Sequence, residues 1–159
     1  MSGLPEQTCL ENVSWSPDGR KIACTHTTDQ GLELWVIGVA DAKAKKHTEA
    51  IVNDATSGLP YEWFADGEKI LYRQIVTNRG TPPEAPAIPT GPVIQENTQG
   101  AAPVRTYQDL LKSPYDEKLF SYFAESALQV LDLTNGTHTA FGIEGIIVNN
   151  ISLRMAITC

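Results

Sequence analysis

Apolar and polar residues along this chain alternate in short runs. In the stretch from Lys21 to Thr27, Ile22, Cys24 and His26 fall on alternate positions, and the stretch from Lys69 to Ile75 shows the same spacing. Such a period of two is the mark of a half-buried strand. Glu33-Leu34-Trp35-Val36-Ile37-Gly38-Val39 reads as a nearly continuous apolar strand, and Leu128-Gln129-Val130-Leu131-Asp132-Leu133 reads the same way before the turn signal Thr134-Asn135-Gly136-Thr137.

These runs repeat. Val13-Ser14-Trp15-Ser16-Pro17-Asp18-Gly19-Arg20-Lys21-Ile22-Ala23 is echoed by Tyr61-Glu62-Trp63-Phe64-Ala65-Asp66-Gly67-Glu68-Lys69-Ile70-Leu71, with Trp, Asp, Gly, Lys and Ile recurring 48 positions on (63 − 15). Each copy predicts a β-hairpin. Gly19 and Gly67 supply the positive φ of the turn, and Asp18 and Asp66 cap it through their side chains. The recurring Trp15, Trp35 and Trp63 read as packing residues rather than ligand-stacking ones.

Four short strands per unit, with a period near 48 once an insertion in the second unit is removed, is the pattern of a β-propeller blade. The expected fold is mainly β: a lead-in over 1–11, blade one over about 12–58, and blade two over about 59–145 with an insertion at about 74–126. A third blade is expected to open at about 146–153, where Asn150-Ile151-Ser152-Leu153 aligns with Asn12-Val13-Ser14-Trp15; residues 154–159 depart from the repeat. Propellers close with typically about 4 to 8 blades, so the chain is expected to be a piece of a longer protein.

The insertion breaks the strand pattern. Six of the ten prolines lie between Pro82 and Pro103, which predicts an extended irregular segment there. Two helical signals follow: Thr106 with Asp109 ahead of Leu110-Leu111, and Ser113-Pro114 ahead of Asp116-Glu117. The second helix is expected over about Tyr115 to Ser126, with Tyr115, Leu119, Tyr122 and Phe123 forming an apolar stripe that packs the insertion against its blade.

Charge narrows the partners. Twelve Lys and Arg against 19 Asp and Glu give a net charge of −7, which disfavours nucleic acid. No apolar run of membrane-spanning length and no signal-peptide pattern appears, so no membrane association is expected, and the compartment stays open. Cys9, Cys24 and Cys159 form no C-x-x-C pair, and His26, His47 and His138 form no H-x-x-H pair, so neither a metal site nor a cofactor is expected. There is no G-x-S-x-G nucleophile elbow, and no residue is assigned a catalytic role.

The phrases Val13-Ser14-Trp15-Ser16-Pro17-Asp18-Gly19 and Leu34-Trp35-Val36-Ile37 resemble propeller repeats of the prolyl oligopeptidase clan and of the TolB family. The insertion is more specific. Asn78-Arg79-Gly80-Thr81-Pro82-Pro83, Pro89-Thr90-Gly91-Pro92, Val104-Arg105-Thr106-Tyr107-Gln108-Asp109-Leu110-Leu111-Lys112 and Tyr115-Asp116-Glu117-Lys118-Leu119-Phe120 resemble the glutamyl endopeptidase branch of the prolyl oligopeptidase family of serine peptidases. The resemblance implies a propeller that gates substrate access to an α/β-hydrolase domain holding a Ser-Asp-His triad. The implied partners are the remaining blades, that domain and peptide substrates. Relatives of this kind are chloroplast stromal in plants, and periplasmic or cytoplasmic in bacteria. Arg79 and Arg105 flank the proline-rich loop, where a guanidinium is able to grip a substrate carboxylate; pairing with an acidic neighbour is the competing reading. A non-enzymatic TolB-like module that binds a partner protein is the alternative to the peptidase reading.

Overall fold

A computed structural model describes residues 2–6, 8–86, 111 and 113–148. Two four-stranded antiparallel sheets follow one another along the chain. The first has the order β1(Leu10–Trp15), β2(Lys21–Thr28), β3(Gly31–Gly38), β4(Lys43–Lys46). The second has the order β5(Tyr61–Trp63), β6(Lys69–Ile75), β7(Glu125–Asp132), β8(Thr137–Ile146). Each is a simple meander, as the repeat predicts for a propeller blade. β8 runs through Ile146, and the opening strand expected at Asn150–Leu153 lies outside the described residues.

The two Asp-Gly turns are built alike. Gly19 and Gly67 stand at φ 69° and 65°. The Gly19 N–H donates to the Ser16 carbonyl at 2.9 Å and the Gly67 N–H to the Phe64 carbonyl at 3.0 Å. Asp18 Oδ1 accepts from the Arg20 N–H at 3.1 Å, and Asp66 Oδ1 from the Glu68 N–H at 2.9 Å. The Ser16 hydroxyl donates to Asp18 at 2.6 Å and, with the Arg20 N–H, holds that carboxyl below the usual range. The residues on either side of each glycine thus hold the hairpin through local hydrogen bonds.

The core lies between the sheets. Ala23, Leu34 and Val36 of the first sheet pack with Val52 and with Tyr61, Ile70, Tyr72 and Leu131 of the second. Alternation sends Cys24, Trp35 and Ile37 to the first sheet's other face, where Leu4, Leu10, Ile22 and Ala44 flank them. The tryptophans divide. Trp35 is buried and Trp63 packs on the inter-sheet core, but Trp15, expected in blade packing, is 59% exposed. It pairs with Ile22 on the face turned away from the second sheet, so the repeat preserves its strand position but not its burial.

The segment Arg79–Phe123 forms a compact unit of its own. Its helix α1(Pro114–Ala124) starts as the sequence predicts: the Ser113 hydroxyl donates to Asp116 at 2.9 Å and accepts the Asp116 N–H at 3.2 Å, with Pro114 in the first turn. It ends two residues sooner than expected. Glu125 and Ser126 pair with Ile146 and Gly145, and Asn53 Nδ2 donates to the Glu125 carbonyl and to Ser126 Oγ, which draws these residues into β7. The expected apolar stripe is only half-buried at Tyr115, Leu119 and Tyr122, and Phe123 is 46% exposed. The earlier helical signal at Thr106–Leu110 lies outside the described residues.

Candidate functional site: the seam between the sheets

The described residues hold no assembled peptidase centre. His26 Nδ1 lies 3.2 Å from the Cys9 carbonyl, and its ring meets Trp35 edge-on. His138 Nδ1 lies 3.0 Å from the Tyr72 hydroxyl. Four of the described serines are engaged in structural bonds: Ser14 with Tyr61 and Trp63, Ser16 with Asp18 and the Lys21 carbonyl, Ser113 with Asp116, and Ser126 with the Ala124 carbonyl. Among the described residues, no group of three or more His, Cys, Asp or Glu could hold a metal ion, and no helix is long and apolar enough to cross a membrane.

What the sequence builds instead is a polar seam through an apolar interface. β5 enters the seam with Tyr61, whose hydroxyl proton is shared between the Ala23 carbonyl, 2.8 Å away, and the Asn12 carbonyl. That oxygen also accepts from the Ser14 hydroxyl at 3.0 Å, and Trp63 Nε1 donates to Ser14 Oγ at 3.1 Å. Asn12 supplies its carbonyl from a β-bulge, at φ 51°, where β1 slips register between Glu11 and Ser14. Burial pushes the Tyr61 phenol up to about 12, so it stays a neutral donor. At one end of the seam, Lys21 Nζ donates to the Gly67 carbonyl at 3.0 Å, joining the first repeat to the second repeat's turn.

A second anchor was not singled out from sequence. Arg73 of β6 is 1% exposed. Its Nη1 donates to Thr56 Oγ1 at 2.6 Å and to the Ile147 carbonyl at 3.0 Å, and its Nη2 donates to the Gly58 carbonyl at 3.2 Å. Asp54 stands 3.6 Å away as the ionic partner. One guanidinium thereby ties the segment between the sheets to the end of β8. The signal was present: an arginine occupies a position that alternation with Leu71 assigns to a buried face.

Of the two arginines flanking the proline-rich loop, Arg105 lies outside the described residues. Arg79 caps α1. Its Nη1 donates to the Tyr122 carbonyl at 3.3 Å, and its guanidinium carbon lies 4.5 Å from the Tyr122 ring centre. The Tyr122 hydroxyl donates back to the Gly80 carbonyl at 3.1 Å. The last turn of α1 has no basic residue of its own, so Arg79 brings the cation that the helix C-terminus favours from outside the helix.

A meander pair joined through such a seam defines the class: consecutive blades of a β-propeller, one carrying a long insertion. The particular relationship comes from sequence comparison. The chain is 36% identical over 150 residues to a probable chloroplastic glutamyl endopeptidase of Oryza sativa subsp. japonica, covering 88% of this chain and 16% of that protein. It is 32% identical over 154 residues to the Arabidopsis thaliana protein of the same name, covering 92% of this chain and again 16% of the relative. Over nearly all of its length the chain is similar in sequence to these probable glutamyl endopeptidases, and it spans about one-sixth of the length of the curated relatives it matches. No family model matches it. Among solved structures, TolB from Acinetobacter baumannii aligns with a TM-score of 0.46 at 11% identity, covering 86% of this chain and 22% of that one. Pyrococcus horikoshii acylaminoacyl peptidase aligns with a TM-score of 0.45 at 17% identity, covering 86% and 18%.

Proposed function

We propose that this chain is a two-blade part of the propeller of a glutamyl-endopeptidase-like serine peptidase, and that it contributes gating and positioning rather than bond cleavage. The observation that carries the reading is the 36% identity over 150 residues, a span that takes in the insertion as well as the generic hairpins. The insertion separates this reading from a TolB-like binding module, since the Trp-Ser-Pro-Asp-Gly phrase fits both. In the proposal, peptides are the substrates of the whole protein, and its serine nucleophile belongs to an α/β-hydrolase domain supplied by other residues.

Two experiments test it. The chain, assayed on a fluorogenic peptide with an internal glutamate, is expected to release no fluorophore; hydrolysis abolished by a serine-directed inhibitor would overturn the non-catalytic role. In the second, the chain replaces the matched 150 residues of the rice relative. A chimera that hydrolyses short peptides and spares folded proteins supports the gating reading. A folded chimera that digests folded proteins as readily as peptides refutes it.

A further inference from the structure

A cleft of about 390 Å³ opens between the sheets beside the β3–β4 hairpin, within the unit that both sheets form. Lys43 and Lys45 of β4 line it together with Lys21 and His47, over an apolar floor that includes Val36 and Leu133. In a chain of net charge −7, this is a concentration of cationic side chains against one lining carboxylate, Asp41.

That carboxylate is committed to local structure. Asp41 Oδ1 accepts the Lys43 backbone N–H at 3.2 Å, holding the turn in which Ala42 sits at φ 52°. The two faces of β4 then differ. Lys46, on the face shared with Trp35, is paired with Glu49 at 2.7 Å and Glu33 at 3.4 Å. Lys43 and Lys45, in register with Gly38 and Val36 on the other face, make no ion pair within 4.0 Å among the described residues. Two positions apart on one strand face, they are about 7 Å apart at the backbone, a spacing at which two ammonium groups can close on one compact anion.

We propose that this cleft is a binding site for a phosphate-bearing small molecule with at least two negative charges. The choice of phosphate follows from the donor set. Among the described residues no guanidinium lines the cleft, so they offer no planar fork of the kind that suits a carboxylate, whereas lysine ammonium groups act as point charges on phosphate oxygens. The volume falls within the small-molecule range of about 300–1,000 Å³. Lys21 already donates to the Gly67 carbonyl, so it contributes its remaining N–H bonds from a fixed position. His47 agrees with this field: burial, then the charges of Lys45 and His138, push its imidazole down to about 4. The site is independent of the peptidase reading.

The test uses pyrophosphate as the probe on the full 159-residue chain. Calorimetry at low salt is paired with NMR titration of the three histidine Cε1–H signals. The expected result is saturable binding that weakens with added salt, with the His47 titration moved upward and His26 unmoved. The variant K43E/K45E is expected to lose at least about 10-fold in affinity, and K43Q/K45Q, which removes charge without reversing it, provides the reading if the first variant misfolds. The absence of saturable binding, or a folded variant of either kind with the parent's affinity, overturns the proposal.

Discussion

Tyr61 Oη lies 2.8 Å from the Ala23 carbonyl oxygen, so a side chain from the first strand of one sheet completes the hydrogen bonding of the second strand of the other. The same phenol reaches the bulge at Asn12 and the Ser14 hydroxyl, and the apolar core surrounds it. Tyr61→Phe keeps the ring and leaves these buried partners short of one group. The expected cost is about 1–3 kcal/mol, read as a lower urea midpoint with an unchanged slope. An unchanged midpoint would mean that the seam is held by apolar packing alone.

The two turn glycines are expected to respond unequally. A Cβ built on Gly19 meets nothing within 4 Å, whereas one on Gly67 comes within 3.1 Å of Asp18 Oδ1. Gly19→Ala therefore carries only the positive-φ cost of about 1 kcal/mol, and Gly67→Ala adds crowding at the neighbouring repeat's turn. Thermal melts of the two variants should separate, with Gly67→Ala the lower. Coincident melts would remove the contact between the turns.

Arg73→Met tests the second anchor. The substitution matches the apolar stem but abandons the Thr56 hydroxyl and the carbonyls of Gly58 and Ile147. A loss of about 2–4 kcal/mol is expected, because charge-assisted bonds inside a protein contribute more than neutral ones. Arg73→Lys should recover less than half of it, since one ammonium cannot span the fork. Full recovery by lysine would show that charge alone, opposite Asp54, matters there.

His47 sets a pH dependence. Its ordinary value of 6.5 falls to about 4 in the folded chain through burial and the charges of Lys45 and His138, with Lys21, Lys43 and Asp41 lining the same cleft. Below 6.5 the unfolded chain takes up a proton that the folded chain refuses until about 4. Protons therefore favour unfolding across that window. The His47 contribution is complete above 6.5 and lost on the way down to 4. Denaturation midpoints between these values should fall with pH in the parent and flatten in His47→Gln; parallel curves would remove His47 as the cause. The exposed carboxylate of Asp18, held below 3.8, responds only under more acid conditions.

Much of the fold was legible because its determinants are local. Asp18-Gly19 and Asp66-Gly67 form turns through their own side chains, and the alternating runs that start at Lys21 and Lys69 become β2 and β6. Ser113-Pro114-Tyr115-Asp116 likewise announces its helix. The seam was not legible. Tyr61 and Arg73 meet partners that are distant in sequence, such as Ala23 and Ile147, and no local pattern encodes which carbonyl a phenol or guanidinium will find. Trp15 failed in the opposite sense: its strand position repeats that of Trp63, yet the two residues face different surroundings. The helix end was misplaced because Asn53, some seventy residues earlier, claims Glu125 and Ser126 for the sheet.

The bond from Lys21 to the Gly67 carbonyl has a direction. It runs forward from the strand of one repeat to the turn of the next, and Lys69 occupies the same place in the second repeat that Lys21 holds in the first. Exchanging the two units would keep that sense, since Lys69 would then stand before the turn of Gly19 as Lys21 now stands before that of Gly67. A gene that duplicates such a unit therefore inherits a head and a tail, and a tandem array assembled from it can be read in one sense only.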